Sequence, residues 1–298
     1  MKSSISIKFS LLVLLPFAFF LNACKKEPEN ISPSLGNICL VAKRTKFDSQ
    51  GKITYRETYT YNSKRQLASI KYDYAGANGT VTDTELYQYN SDGQITNKKS
   101  ASNTTSYLYD RKLLIEENTV LGPITYLYKY SYNPDSKKSK LIFKSSRDNQ
   151  VSLHYEETYY YKDTLLIRTI NRNLPGGISA QVFDNAYKYD AQNRLIEKQT
   201  LRPDNSISET EKYEYGADRN VIKITVFVDN KYKESEEVFT YKNNKLVEKT
   251  ESTFNSKGEI AYSYKTVFEY RQDNISKMTL FRNGTLTSYE QYTYTCDK

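Results

Sequence analysis

Along most of the chain, apolar and aromatic residues alternate with polar ones at a period of two. In the clearest run Ile260, Tyr262, Tyr264, Thr266, Phe268 and Tyr270 share one face, while Ala261, Ser263, Lys265, Val267 and Glu269 share the other. Such alternation is the mark of a strand with two unlike faces. The pattern recurs in Ile124, Tyr126, Tyr128, Tyr130 and Tyr132, and again in Val151, Leu153, Tyr155, Glu157, Tyr159 and Tyr161. No stretch carries a helical period. The runs are broken by residues that tolerate positive φ: Asp48 to Gly51, Ala77-Asn78-Gly79, Pro203-Asp204-Asn205, Asp229-Asn230, Asn255 to Gly258 and Asn283-Gly284. Asn-Gly between alternating segments is the strongest short hairpin signal, and it occurs twice.

Between these turns a second kind of turn repeats. Each copy reads Tyr-x-Tyr, then Asn, Asp and Lys residues, then an aliphatic residue that opens the next strand, as in Tyr187 to Leu195. Aligned on the second Tyr or its equivalent, the copies fall at Tyr61, Tyr89, Tyr109, Tyr132, Tyr161, Tyr189, Tyr215, Tyr241, Tyr270 and Tyr294, about 26 residues apart. That spacing holds two strands and two short turns. The expected fold is therefore all-β: a long antiparallel β-hairpin meander of about 20 strands, forming a curled sheet or a flattened barrel.

Four residues before the aligned Tyr, six copies carry Glu: Glu57, Glu85, Glu157, Glu211, Glu237 and Glu290. With Tyr61 opposite Leu67, a simple register puts Glu57 opposite Lys71; with Tyr89 opposite Ile95, it puts Glu85 opposite Lys99. Dry burial of such pairs costs several kcal/mol per ion, so the Tyr face is expected to be partly hydrated.

The N-terminus predicts an address. Lys2 and Lys8 precede an apolar run from Phe9 to Leu21, too short to span a bilayer, which reads as an export signal. The following Leu21-Asn22-Ala23-Cys24 resembles a bacterial lipobox, which implies cleavage before Cys24 and acylation there. The chain then divides into a signal peptide (1–23), a flexible tether (24–36) and a β-repeat domain (37–298). Lys25-Lys26-Glu27-Pro28-Glu29 is similar to the export signals of surface lipoproteins in Bacteroidetes. An outer-membrane lipid anchor is expected, facing the cell surface, with the periplasmic side as the alternative.

The repeat itself resembles the YD repeats of the Rhs family, whose consensus is Tyr-Asp, a turn with Gly-Arg, then Leu. The likeness is best at Tyr189-Asp190 to Leu195 and at Tyr89-Asn90-Ser91-Asp92-Gly93-Gln94-Ile95. In that family such hairpins spiral into a shell around a C-terminal cargo. Here the chain ends soon after its last repeat, so no cargo is expected, and small Bacteroidetes outer-membrane lipoproteins with degenerate repeats are the nearer likeness.

Composition adds a wet, aromatic character, with 29 Tyr, 12 Phe, no Trp and a mean hydropathy of −0.73. The net charge of +8 falls to +6 once Lys2 and Lys8 leave with the signal. Lys and Arg are interleaved with 35 acids, which reads as a solvated surface and gives no nucleic-acid partner. Charges on both faces at mid-strand, with short turns, argue against a transmembrane barrel.

No catalytic residue stands out. His154, the single histidine, shares a face with Ser152, Glu156 and Thr158 and lacks a marked nucleophile. No phosphate loop, metal motif or cofactor motif occurs. Cys39 and Cys296 lie at the two ends of the meander in an oxidising compartment; they either pair, which requires the sheet to curl until its edges meet, or stay as free thiols. The function expected is a non-catalytic binding or scaffold role. Its partners are the membrane, through the lipid, and a polysaccharide or an envelope protein. A glycan would use the candidate face of Tyr126, Tyr128, Tyr130, Tyr155, Tyr159, Tyr262 and Tyr264 with Glu57, Glu85 and Glu157. A glycoside hydrolase is the remaining alternative.

Overall fold

The structure is a computed structural model that describes residues 39–76, 79–148, 150–175 and 183–296. The signal peptide, Cys24, the tether and the Ala77-Asn78 part of one hairpin turn lie outside the described residues.

Among the described residues, twenty strands follow one another. They are β1 (Cys39–Asp48), β2 (Ile53–Tyr61), β3 (Leu67–Gly76), β4 (Gly79–Tyr89), β5 (Ile95–Lys99), β6 (Asn103–Asp110) and β7 (Leu113–Leu121). Then come β8 (Ile124–Tyr132), β9 (Lys138–Arg147), β10 (Gln150–Lys162), β11 (Leu165–Asn173), β12 (Asp184–Tyr189), β13 (Leu195–Leu201) and β14 (Ile207–Tyr215). The last are β15 (Val221–Val228), β16 (Tyr232–Lys242), β17 (Lys245–Phe254), β18 (Ile260–Arg271), β19 (Asn274–Arg282) and β20 (Thr285–Cys296). Each pairs antiparallel with its neighbours in sequence, and β1 also pairs with β20 from Cys39↔Cys296 to Asp48↔Ser288. The meander is thereby a closed barrel without a free edge. Cys39 and Cys296 form a disulfide across this closing seam, with an S–S distance of 1.96 Å. The thinnest joint is β11 with β12, where two residue pairs are in register and Asp184 extends the contact by accepting the Asn171 amide at 3.0 Å.

The aligned tyrosines all lie at one rim. There Asn62, Asn90 and Asp190 close the turns by accepting two backbone amides each on the side-chain Oδ1: Lys64 and Gln66, Asp92 and Gln94, Gln192 and Arg194. This is why Asn or Asp follows the Tyr. Gly93 takes a φ of 79° in its turn, a conformation that Arg65, Ser136 and Arg219 adopt at corresponding places with a side chain attached.

One regularity corrects the simple register. In every copy the pairing slips by one residue next to the aligned Tyr, as between Thr60 and Tyr61. Tyr61 does face Leu67, but Ala68 is extra, so Glu57 faces Tyr72 and Lys71 faces Thr58 on the other side of the sheet. Likewise Tyr89 faces Ile95, while Lys99 is opposite Leu86 rather than Glu85. A β-bulge on the partner strand flips its faces beyond that point.

The face with the repeated Tyr and Glu is the more buried and lines the interior. Glu57, Ile70, Glu85, Thr105, Phe143, Thr169 and Glu290 are buried on it. Ile70 and Phe143 are the buried apolar side chains among the described residues, so there is no dry core. The outer face carries cross-strand ion pairs: Lys129–Glu116, Lys140–Glu156 and Lys265–Glu248 reach toward the middle of the strands, while Lys188–Glu197, Lys223–Glu214 and Lys277–Glu269 lie beside the tyrosine rim.

Candidate functional site: the tyrosine and glutamate interior

The bulge explains the repeated tyrosine. In eight copies the aligned Tyr hydroxyl donates, at 2.7 to 2.9 Å, to a backbone carbonyl on the preceding hairpin: Tyr61 to Val41, Tyr89 to Leu67, Tyr132 to Leu114, Tyr161 to Lys138, Tyr189 to Leu166, Tyr215 to Leu195, Tyr270 to Leu246 and Tyr294 to Ile275. Each acceptor is the residue facing the previous copy's Tyr, just before the extra residue of the bulge. The ladder is locally disrupted there, and the next tyrosine takes up the carbonyl. The chain of latches runs around the ring and crosses the seam, because Val41 faces Tyr294. Tyr109 and Tyr241 are the two copies whose hydroxyls make no such bond among the described residues.

The repeated glutamate has an equally regular partner. Two residues apart on one strand are neighbours on one face, about 7 Å apart, which is the reach of a phenol leaning along the strand. Tyr59, Tyr87, Tyr159, Tyr213 and Tyr292 each donate to the Glu two residues earlier, namely Glu57, Glu85, Glu157, Glu211 and Glu290. In the sixth copy that residue is Phe239, and Glu237 pairs instead with Lys249 at 3.2 Å. Basic residues complete the neutralisation: Lys98 at 3.0 Å from Glu85, Lys198 on Glu211, and Arg44 at the seam. Arg44 donates to both oxygens of Glu290, at 2.7 and 2.8 Å, and to Glu57 at 3.2 Å, bridging β20, β1 and β2. Burial opposes ionisation of Glu290, yet the Arg44 hydrogen bond and charge hold its carboxyl below the ordinary range. Hydration is thus uneven on this face: Glu57, Glu85 and Glu290 are buried and saturated by phenols and cations, while most of the remaining lining is half-buried.

Burial, and next the hydrogen bonds to these carboxylates, push the phenols of Tyr59, Tyr87, Tyr159 and Tyr213 far above their usual value. Tyr107 and Tyr130 are pushed up to about 12, by burial first and then by the charge of Glu117. Burial also raises Glu117 itself, against the opposing charge of Lys98.

Every residue of the candidate face points into the barrel, but the residues do not form one site. Tyr128 and Tyr155 flank Phe143, with ring centroids 4.7 and 5.1 Å away, and Tyr126, Tyr130, Tyr159 and Glu157 lie on the same pair of strands, β8 and β10. Tyr262 and Tyr264 lie far around the ring, beside the Arg282 guanidinium at 6.0 and 5.8 Å. His154 sits on the outer face, with Nδ1 3.2 Å from the Pro175 carbonyl oxygen. No cluster of three metal-ligating side chains occurs among the described residues. Glu117 is the residue that reading by repeats passes over. Its signal is visible in the sequence: the adjacent copies at Tyr109 and Tyr132 have Thr105 and Tyr128 where six copies have Glu, and an acid appears on the strand between them.

Fold and interior define a closed antiparallel β-repeat barrel with a hydrogen-bonded Tyr and Glu lining. No protein-family model matches the chain, and no curated protein does. Among solved structures, the chain is similar to TcdB2-TccC3 with a TM-score of 0.34 and 12% identity over 82% of this chain; it spans 18% of that much longer chain. It is also similar to porin-like proteins from Bacteroides uniformis (TM-score 0.34, 12% identity, 86% of this chain and 96% of the other) and Bacteroides vulgatus (TM-score 0.28, 11% identity, 86% and 98%).

Proposed function

We propose that this is a non-catalytic barrel held at the outer membrane by lipid on Cys24, its wall surrounded by water, acting as a binding or scaffold protein of the envelope. The observation that supports it is the outer face. Cross-strand ion pairs such as Lys140–Glu156 and Lys265–Glu248 reach up to five residues in from the tyrosine rim, where a bilayer would sit. Each Lys or Arg at the midplane of a lipid-facing wall costs about 2 to 4 kcal/mol, and these pairs, with Lys129–Glu116, put charge there. A wall of this kind needs an anchor to stay at a membrane, and Cys24 supplies one. The test is fractionation of cells expressing Cys24→Ser. The variant is expected in the soluble fraction, and its retention in membranes would refute both the anchor and the water-facing wall.

A polysaccharide ligand is the second reading, supported by the half-buried rings of Tyr126, Tyr128, Tyr130 and Tyr155, whose hydroxyls make no hydrogen bond among the described residues. Glu57, Glu85 and Glu157 contribute less than the sequence implies, because phenols already occupy their oxygens. A polysaccharide array would show binding that falls when Tyr128 and Tyr155 become Leu; no binding to any member would dismiss this reading.

A further inference from the structure

Five of the six repeat glutamates are bound by a phenol, and the sixth has its lysine. Glu117 of β7 is different. It stands directly between Tyr107 of β6 and Tyr128 of β8, so each tyrosine is its cross-strand neighbour, with a Cβ about 5 Å from that of Glu117. Tyr109 and Tyr130 lie one pleat nearer the rim, and Tyr109 is one of the two tyrosines without a latch. On the other side the Thr105 and Thr119 hydroxyls bond each other at 2.8 Å and close the floor. All five side chains are half-buried. One carboxylate and four phenols are thus gathered on the interior face, and none of their oxygens has a hydrogen-bond partner among the described residues. Lys98, the cation whose charge reaches Glu117, is already paired with Glu85 at 3.0 Å. The rings do accept cations: the Lys138 ammonium lies 4.6 Å from the Tyr130 ring centroid.

We propose that Glu117 with Tyr107, Tyr109, Tyr128 and Tyr130 forms a cage for an organic ammonium group, entered from the rim that carries the tyrosine turns. The carboxylate balances the charge, the negative faces of the rings attract the cation, and the phenol oxygens accept its N–H groups where it has them. A hard metal ion is a poor fit, because it needs several anionic oxygens and the cage has one carboxylate. An amino sugar and an amine-bearing lipid headgroup both present the required group. The inference rests on the barrel interior and not on the lipid anchor, so either reading can fail without the other.

The test is calorimetric titration of the purified protein with choline, ethanolamine and glucosamine, and with the neutral carbon isostere of choline. At least one amine is expected to bind saturably. With choline, the isostere should bind at least about tenfold more weakly, the size expected for loss of a cation–π and ion-pair contact. Glu117→Gln should weaken the amine by a similar factor, Tyr107→Leu should weaken it further, and Glu237→Gln, on the far wall, should leave it unchanged. Glu117→Gln should also melt no lower than the parent, since no internal bond is lost; a lower melting temperature would mark a structural carboxylate and overturn the cage. Absence of heat with all three amines at roughly 10 mM, equal binding of the isostere, or unchanged binding by Glu117→Gln would each overturn it as well. Glucosamine binding with none to ethanolamine or choline would identify the source as a sugar amine, and the reverse a headgroup.

Discussion

Replacing the aligned tyrosines by phenylalanine, one copy at a time, tests the latch. Tyr189→Phe keeps the ring and removes one hydroxyl, which lies 2.8 Å from the Leu166 carbonyl. With no cavity created, the loss is that of a neutral hydrogen bond, about 1 kcal/mol net. Tyr189 is half-buried at the rim, so water can reach part of the freed carbonyl and the cost stays below the full penalty of a buried orphan. Tyr109→Phe and Tyr241→Phe alter the same motif but break no latch, and should cost about nothing by the same reasoning. The contrast is what matters, because sequence alone treats the ten copies as equivalent.

The assay is urea unfolding of the disulfide-intact protein followed by circular dichroism, comparing midpoints because a long repeat array need not unfold in a single step. The latches of Tyr61, Tyr132, Tyr189 and Tyr270 are well separated, so the fourfold variant should lose about 4 kcal/mol, close to the sum of its parts. Equal destabilisation by Tyr109→Phe and Tyr189→Phe would refute the latch and return the repeated tyrosine to simple packing.

Three other outcomes are expected. Arg44→Met strips the shared cation from Glu57 and Glu290, whose side chains are 9% and 6% exposed; removing one partner of a buried ionic group costs about 3 kcal/mol or more, and chemical denaturation should show it at pH 7 and show less of it at low pH. The sign follows from Glu290, whose folded value is depressed: its contribution is present above the ordinary carboxylate value and is lost as pH falls through the folded one. Reducing the Cys39–Cys296 bond, which closes a loop with a separation of 257 residues, should lower stability by up to roughly 5 kcal/mol on the chain-entropy estimate, read as a shift in the urea midpoint with and without reductant. At high pH the raised phenols work the other way from Glu290: the stability they confer is whole below about pH 10 and is lost as pH rises through their folded values, by at most about 1.4 kcal/mol per phenol and pH unit before solvent screening. Absorbance at alkaline pH should therefore show tyrosine ionisation lagging in the native protein and arriving together with unfolding; superimposable native and denatured titrations would contradict it.

Much of the architecture was legible because the period-two alternation and the turn chemistry are local. The twenty strands and their hairpin order follow from Tyr-x-Tyr, Asn-Gly and Asx turns, each of which acts within a few residues. The register beyond the bulge did not follow, because one extra residue such as Ala68 or Thr96 leaves no mark in hydrophobicity yet exchanges the faces of a whole strand. That slip moved Lys71 and Lys99 away from Glu57 and Glu85 and set Arg44 and Lys98 in their place. The partner of each glutamate was nevertheless encoded within its own strand, in the spacing Glu-x-Tyr. The one copy with Glu-x-Phe, at Glu237, is the copy that turns to lysine alone. Arg44 was not legible as the seam's cation, since its two carboxylates lie 13 and 246 positions away and meet only when the sheet closes.

The interior inverts the usual order of a β-barrel filled with aliphatic side chains. A ring of this many strands is too wide to fill with side chains, so its lining must satisfy polar groups without burying them all. Phenols suit this because each presents an apolar ring to its neighbours and a hydroxyl to a carbonyl or a carboxylate. Two interlocking uses of tyrosine result, with the aligned Tyr binding backbone at the rim and the Tyr two residues earlier binding Glu inside. Where both uses lapse together, as at Tyr109 with Tyr107, the lining is left with unspent oxygens around a single charge at Glu117. A wall built by repetition would have no reason to gather them there for stability, since the repeat offers Glu-x-Tyr at no cost in length. The lapse at Glu117 is therefore what sets the proposed amine cage apart from the rest of the lining.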